Sequence, residues 1–410
     1  MTSVSAMTPP TPNSPRFHLA ELGGALGDLG TLLPLAVALI AVNQMDATGV
    51  FFTVGLAYVA TGLYYRLPIP VQPLKAVSAI AIATGLPGSV VSAAGPVLGL
   101  ALLALAASGL SSAIGKLFAR PIVRGIQLGL GLLLIRTGVM LAARPQLVPA
   151  GTDNVLRLGE VGLPLGLPLA VLVGFVLIRR GPARRVPATL AALVLGLGVS
   201  FLAGSLEGLA GLRLGVTLPS VTVPTARDLG LAAVLLVIPQ IPLTLGNSVV
   251  ATRRTAEDYF GTDSARVTYR ALLTSMGIFN LAAGLIGGLP VCHGSGGLTA
   301  HYLFGARTGG ANLMIGVGLL ALAVLVDGNV VPLLALIPYP VLGALLVFTG
   351  VQHGLLARDI RGRSEVLVAG AVATLGFATD NLAFGFGLGL ALQGTLRLGA
   401  RIPRTQAVNR

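Results

Sequence analysis

The chain contains no tryptophan, a single cysteine and very little charge, with only 10% of its 410 residues being Asp, Glu, Lys or Arg. The lone cysteine, Cys292, excludes a disulfide bond within the chain. A hydrophobic content of 54% excludes a soluble protein, since a soluble fold of this length could not bury so much apolar surface. The composition therefore predicts an all-α protein that crosses the membrane many times.

The sequence also lacks the patterns that mark catalysis or cofactor binding. The four histidines, His18, His293, His301 and His353, have no metal-ligand spacing, and no nucleophile is paired with a base. The glycines around Asp28 do not form a nucleotide-binding loop, because a long apolar run follows them. We therefore expect no cofactor, no metal site and no enzymatic activity.

Long apolar runs dominate the chain, and fourteen membrane spans can be drawn, several of them short or interrupted. A polar stretch at 206–228 separates seven spans from seven. Because seven is odd, the second half would enter the membrane from the opposite side, which predicts an inverted repeat. The predicted spans are 20–42, 48–65, 70–84, 90–112, 122–142, 163–178, 187–205, 229–250, 267–288, 291–304, 311–326, 328–350, 364–379 and 381–397.

The corresponding domain organisation places the two repeats between short tails. We expect a disordered cytoplasmic tail at 1–16, a first repeat at 17–205, an extracytoplasmic connector at 206–228, a second repeat at 229–400 and a cytoplasmic tail at 401–410.

Basic residues predict the orientation of the chain. Most Lys and Arg residues fall in segments that face the cytoplasm if the N-terminus does, and only Arg144, Arg157, Arg213 and Arg227 fall in outer segments. This bias predicts a multi-pass protein of the cytoplasmic membrane with both termini in the cytoplasm. It also accounts for the net charge of +13 without a nucleic-acid partner.

A short motif occurs once in each half, at a constant spacing. The copies are Pro70-Val71-Gln72-Pro73-Leu74-Lys75, closed by Gly85, and Pro290-Val291-Cys292-His293-Gly294-Ser295, closed by Gly305. They predict half-helices at 70–84 and 291–304 whose N-termini face each other near the membrane midplane. Helix N-termini carry partial positive charge and free N–H groups, so an anion is the expected ligand.

Lys75 and Gln72 open the first half-helix, where a cation would face the anion. The alternative is that Lys75 forms an ion pair with Asp28 and only locks the helices together. Asp28 itself is a candidate substrate-binding residue, and it is also open to three other interpretations: a partner of Lys75, a proton carrier, or a cap on an unwound turn. Thr31 follows in the same segment and completes the predicted site in the first half.

In the second half, neutral polar side chains are the candidates. Gln240, Thr244 and Asn247 lie on one face of a span that Pro239 and Pro242 would kink. They would hydrogen-bond an oxyanion or, alternatively, pack against neighbouring helices.

The second half-helix adds His293, Gly294, Ser295 and Gly296. Its glycines would expose backbone N–H groups to a tetrahedral oxyanion. His293 is open to roles as ligand, gate, proton site or packing residue. Charged residues near span ends, Arg136, Asp327, Glu365 and Asp380, are expected to reach toward the interface or contact loops.

Two segments resemble the molybdate transporter family related to the sulfate permeases: Gly27-Asp28-Leu29-Gly30-Thr31-Leu32-Leu33-Pro34 and Pro68-Ile69-Pro70-Val71-Gln72-Pro73-Leu74-Lys75-Ala76. The resemblance extends over residues 17–400. It implies a 7+7 inverted-repeat fold, with a core of spans 1–4 and 8–11, a gate of the remaining spans, elevator-like alternating access and a dimer contact. Many proton-coupled relatives hold an acid in span 8, whereas this chain has Gln240 and Asn247 there.

The expected function is secondary active transport of a tetrahedral oxyanion, with molybdate first and sulfate close behind. The expected partners are this substrate and the lipid bilayer, and a homodimer is left open. Within transport, the alternative is a proton-coupled carrier of another anionic or nucleobase-like solute. From other classes, an anion channel or a membrane enzyme remain as alternatives.

Overall fold

A computed structural model describes residues 14–109, 120–147, 154–158, 161–180, 188–202, 214–326 and 336–401. The first half of the chain contributes α1 (Leu19–Asn43), α2 (Ala47–Tyr65), α3 (Lys75–Thr84), α4 (Gly88–Ala107), α5 (Arg120–Ala142), α6 (Gly166–Arg180) and α7 (Ala188–Leu202). The second half contributes α8 (Ala226–Arg266), α9 (Tyr269–Leu285), α10 (Ser295–Leu303), α11 (Gly310–Leu325), α12 (Tyr339–Leu355), α13 (Arg363–Ala378) and α14 (Leu382–Arg401).

Four short strands complete the described structure. Strand β1 (Gln72–Pro73) pairs with β4 (Val291–Cys292), and β2 (Val155–Leu158) pairs with β3 (Val161–Pro164), both antiparallel. Most of the two predicted tails, at 1–13 and 402–410, lies outside the described residues. So do the first part of the connector and the start of the twelfth predicted span, at 328–335.

Several helices are long and apolar enough to cross a membrane. Among the described residues these are α2, α4, α5, α8 and the segment Tyr339–Asp359 that begins with α12. Helix α1 is a sixth when its two parts are counted as one bent span: Leu19–Leu29 and Thr31–Asn43, which meet at 44°. Shorter apolar helices, including α3 and α11, accompany them. The chain is therefore a multi-pass membrane protein, while the full set of fourteen spans stays a prediction.

Prolines explain the irregular helices. Pro34 in α1 cannot donate to the carbonyl four residues earlier, which accounts for the bend. Pro239 and Pro242 do the same in α8, where the hydrogen bonding shifts to the wider π pattern over Ala232–Val237 and Thr244–Ala251. The kink predicted for this span thus takes the form of two π segments within a helix of 41 residues.

Glycines bring specific helices into close contact. Helix α2 packs against α11, α4 against α9, and α5 against α12. At each contact two glycines meet, one from each helix, in the pairs Gly55 and Gly316, Gly99 and Gly277, and Gly131 and Gly350. In each pair, a Cβ on the first glycine would lie under 3.0 Å from the carbonyl oxygen of the second. Only glycine permits this approach, as expected for helices packed in lipid. Helix α5 also contacts α13, which packs against α14.

The two short helices predicted from the repeated motif are present, but they begin later than expected. Helix α3 begins at Lys75 rather than at residue 70, and α10 begins at Ser295 rather than at 291. The preceding residues are extended, and β1 pairs with β4 so that Gln72 opposes Cys292. Proline favours this extended backbone, and the pairing brings the starts of α3 and α10 together.

Candidate functional site

The N-terminus of α3 is capped by a side chain from α8. The backbone N–H groups of Ala76 and Val77 donate to Oε1 of Gln240 over 2.9 and 3.4 Å. The Gln240 amide in turn donates to the Thr244 hydroxyl at 3.0 Å. Both side chains are buried. Gln240 therefore makes the interhelical contact that the sequence left as the alternative to anion binding, and Thr244 holds it from the same helix. Gln240 thus occupies N–H groups otherwise free for an anion.

Lys75 is the first residue of α3 and is half-buried beside a small cavity. Among the described residues, no carboxylate forms an ion pair with it, so the alternative of a Lys75–Asp28 pair does not describe this structure. Its ammonium group is thus a positive charge, next to a helix N-terminus, without a protein counter-ion in the described part of the chain.

The N-terminus of α10 faces Lys75 across the paired strands. The Ser295 hydroxyl donates to Oδ1 of Asn247 at 2.7 Å. The Asn247 Nδ2 group is thus left to donate a hydrogen bond to a ligand. A Cβ placed on Gly294 would lie 3.4 Å from both Asn247 Nδ2 and Lys75 Nζ, and still closer to Gln72 Oε1. Gly294 is therefore the point at which these side chains converge. A Cβ on Gly296 would meet nothing within 4 Å.

A cavity beside Lys75 and Asn247 lies between helices from both expected domains and has a volume of about 10 Å³. Such a space admits about one water molecule and is too small for a tetrahedral oxyanion. Its lining comprises Lys75, Gln127, Gln240, Leu243, Asn247, Ser248, Cys292 and His353. Gln127 on α5 and His353 on α12 were not predicted, because no motif links them to the repeated segment.

Asp28 belongs to a separate, fully buried cluster. Its Oδ2 accepts from the Tyr58 hydroxyl at 2.6 Å, and its Oδ1 accepts from Nε2 of Gln72. His301 places Nε2 3.6 Å from Asp28 Oδ2. Gln72 thus faces Asp28 with one end of its amide and Gly294 with the other. The sequence predicted Asp28 and Gln72, but Tyr58 and His301 come from distant segments that carry no common motif.

His293 is held away from the cavity by bonds at both ring nitrogens. Its Nδ1 lies 2.8 Å from the Pro70 carbonyl oxygen, and its Nε2 lies 2.8 Å from the Ser275 hydroxyl, which in turn meets the Tyr65 hydroxyl. These contacts fit the packing role among the four interpretations. Thr31 on α1 is half-buried, and its side chain forms no hydrogen bond with any described residue.

The charged residues near span ends have different environments. Arg136 forms an ion pair with Asp380 at 2.5 Å and lies over the Phe377 ring, so it contacts protein rather than only the interface. Glu365 is half-buried in the first turn of α13. Asp327 lies outside the described residues.

Comparison with known proteins shows the family. A model described as "Molybdate transporter of MFS superfamily" matches residues 20–134 and 232–352. Molybdate transporter 2 of Arabidopsis thaliana is 30% identical over 413 residues, which cover 92% of this chain and 87% of that protein. Molybdate transporter 1 of Chlamydomonas reinhardtii is 30% identical over 472 residues and covers 90% of both chains.

Solved structures show the fold. The transmembrane domain of a cyanobacterium bicarbonate transporter, BicA, superposes with a TM-score of 0.63 at 20% identity, over 90% of this chain and 98% of that one. The murine anion transporter Slc26a9, in its inward-facing state, gives 0.65 at 14% identity, over 94% of this chain and 69% of that one. The chain has the fold of these membrane anion transporters, and by its sequence it belongs to the molybdate transporter family.

Proposed function

We propose that this protein is a secondary active transporter that carries molybdate across the cytoplasmic membrane, with sulfate as the alternative tetrahedral oxyanion. The observation that carries this proposal is the position of Lys75, a cation with no ion-pair partner among the described residues, beside Gly294 and Asn247. Membership of a molybdate transporter family supports the choice of substrate.

The anion would bind where the starts of α3 and α10 meet. Lys75 Nζ and Asn247 Nδ2 approach Gly294 from two sides, and the free N–H groups at the start of α10 add a third source of positive potential. Neutral donors and a single cation compensate a dianion only in part. Binding of this kind is strong enough to select an oxyanion and weak enough to release it.

Transport would follow elevator-like alternating access between a core and a gate. Contacts between the two halves support an inverted repeat. In such a repeat α2 corresponds to α9 and α4 to α11, so the packing of α2 on α11 is equivalent to the packing of α9 on α4. The cavity supports relative motion, since the core contributes Lys75 and Asn247 while the gate contributes Gln127 and His353. At about 10 Å³ it must widen before an oxyanion enters.

Lys75→Ala tests the site in purified protein reconstituted into liposomes. We expect wild-type protein to take up molybdate saturably and to show counterflow, which a channel does not. We expect Lys75→Ala to lose at least about tenfold in affinity, in line with the loss of one charge-assisted contact. Lys116→Ala is the matched control, because Lys116 is the other lysine of the chain.

Two outcomes would reject the proposal. Wild-type uptake that never saturates and shows no counterflow would indicate a channel. Normal affinity in Lys75→Ala would place the anion elsewhere. Competition of molybdate uptake by tungstate, sulfate and uracil then ranks the substrates, and preference for uracil would favour the nucleobase-like alternative.

A further inference from the structure

The buried cluster around Asp28 lacks one hydrogen-bond donor. Nδ1 of His301 lies 2.9 Å from the Pro68 carbonyl oxygen, which only accepts, so Nδ1 carries the ring proton. In the neutral ring, Nε2 is then a bare acceptor. It has no hydrogen-bond partner, and the nearest carboxylate oxygen, Asp28 Oδ2 at 3.6 Å, is an acceptor too. Two acceptors that face each other in a buried site are unfavourable.

A single proton resolves this arrangement. Added to Nε2 of His301, it forms an N–H group directed at Asp28 Oδ2, while Tyr58 continues to donate to the same oxygen. The charge of the pair then changes from −1 to zero, with the proton supplied by the aqueous phase. His293 shows the contrast, because its Nε2 accepts from Ser275 and leaves no vacant position.

The carboxylate of Glu21, also buried on α1, shows the same contrast. It accepts from the backbone N–H groups of Arg307 and Thr308 and from the Thr308 hydroxyl at 2.9 to 3.1 Å. These donors satisfy an ionised carboxylate. Of these two buried carboxylates on α1, only Asp28 thus faces a neighbouring acceptor with no donor between them.

We propose that Asp28 and His301 together bind one proton, and that this proton is the ion coupled to oxyanion transport. The inference rests on the proposed function for its substrate. Gln72 connects the two sites: its amide nitrogen contacts Asp28, and its Oε1, which has no partner, lies at Gly294 beside Lys75.

Glycines in α10 allow this connection. A Cβ on Gly297 would lie 2.5 Å from Gln72 Nε2 and 2.7 Å from Asp28 Oδ1, so only glycine lets the helix close over the pair. The negative charge of unprotonated Asp28 therefore lies one amide away from the predicted anion position. This negative charge repels an anion at that position. Once a proton neutralises it, the positive potential of Lys75 and of the helix N-termini attracts the anion without opposition.

The charged and titratable groups that face the pair come from four elements. They are Glu21 on α1, Tyr58 on α2, Lys75 on α3 and Cys292 on β4. Asn247 on α8, which bonds to Ser295, and Asn312 on α11, which bonds to the Ile69 carbonyl oxygen, carry no charge. His353 lines the cavity from α12 and is the other histidine to separate in an experiment.

Calorimetry of sulfate and molybdate binding to the full chain in lipid nanodiscs tests the proposal. Sulfate stays a dianion between about pH 5 and 8, the range in which histidine titrates, so a pH effect on its binding belongs to the protein. We expect the affinity of the wild-type protein for sulfate to weaken about tenfold as the pH rises across this range, which corresponds to a moderate coupling free energy. By linkage, the protein must then take up protons when the anion binds. This uptake is measured by repeating the titration in buffers of different ionisation enthalpy, because the proton released by the buffer adds to the observed heat.

Variants distinguish the pair from its neighbours. Asp28→Asn and His301→Gln should each bind anion without proton uptake and with affinity independent of pH, provided that thermal melting shows folded protein. Glu21→Gln, a matched loss of a buried carboxylate on the same helix, should keep the proton uptake. His353→Gln should also take up as many protons per bound anion as the wild-type protein does, even if its affinity for the anion changes.

Wild-type binding without proton uptake and with constant affinity would overturn the inference, and so would unchanged uptake in Asp28→Asn. If that variant does not fold, unchanged uptake in folded His301→Gln overturns it equally. Wild-type protein that binds neither anion at any pH would instead reject the proposed function, so the two failures are distinguishable.

Discussion

Gln240 and Gln72, two of the buried glutamines at the site, have opposite surroundings. Gln240 satisfies the α3 backbone with its oxygen and Thr244 with its nitrogen, so it is a structural cap. Gln72 gives its nitrogen to Asp28 and leaves its oxygen without a partner beside Gly294. The same residue type, equally buried, thus stabilises a helix in one case and links two candidate binding sites in the other.

Gln240→Glu separates the cap from the charge of the site. A glutamate oxygen still accepts from Ala76 and Val77, and a negative charge is tolerated at a helix N-terminus, so the melting temperature should change little. The charge would lie at the cavity that Lys75 lines. We expect molybdate affinity to fall at least about tenfold. Gln44→Glu, which adds the same charge at an exposed position, is the control.

Gly294→Val and Gly296→Val test whether the anion lies at the start of α10. A Cβ at Gly294 would meet Gln72, Asn247 and Lys75, whereas one at Gly296 would meet no neighbour within 4 Å. We expect Gly294→Val to abolish molybdate binding and Gly296→Val to be milder. Ser295→Ala, which removes one hydroxyl, should weaken binding by less than Gly294→Val does. Wild-type binding in Gly294→Val would exclude this position for the anion.

At the scale of elements, a glycine contact joins α5 and α12, two helices of the proposed gate. A Cβ on Gly138 would lie 2.5 Å from the Gly343 carbonyl oxygen, while one on Gly174 in α6 meets nothing within 4 Å. We expect Gly138→Ala to destabilise the folded protein by about 1–3 kcal/mol, the usual cost of overpacking. Gly174→Ala should be neutral or slightly stabilising, because alanine favours helix. Thermal unfolding in detergent compares them.

The same two helices are tied at their other ends by an ion pair. Arg120 and Arg124 at the start of α5 contact Asp359, just after α12, at 2.8 and 2.6 Å. The groups are partly exposed, so Asp359→Asn should cost only about 1 kcal/mol of unfolding free energy. Glu257→Gln, which removes the exposed pair with Arg253 within one helix, should cost less. Equal melting temperatures for both variants would contradict this ranking.

At the scale of the whole molecule, motion between core and gate is testable by cross-linking. In a Cys292→Ser background, Gly246→Cys on α8 and Val123→Cys on α5 would join the two bodies, since a Cβ on Gly246 lies 3.8 Å from Val123 Cγ1. We expect oxidation to stop transport reversibly. Leu128→Cys with Gly354→Cys, which joins α5 and α12 within the proposed gate, should leave transport active, because a Cβ on Gly354 lies 3.7 Å from Leu128 Cδ1 without crowding. Undiminished transport by the first cross-linked pair would reject an elevator.

The sequence alone determined the class and family of this protein. Apolar composition requires a membrane fold, because lipid satisfies no backbone polar group, and the segments around Asp28 and Pro70 carry the family resemblance that the comparisons confirm. The repeated proline motif located both short helices. Their late starts at Lys75 and Ser295 were not predicted, because the pairing of β1 with β4 joins strands more than two hundred residues apart.

Tertiary structure decided which polar groups meet. Lys75 and Gly294, predicted from the repeated motif, and Asn247, predicted from its helix face, come together. Gln240, also predicted, became a cap because α8 passes the start of α3, which helix periodicity cannot reveal. Tyr58 and His301 reach Asp28 from separate helices, and their bonds depend on distances and on the tautomer of a buried ring. Sequence states what each group is able to do, and packing selects its partner.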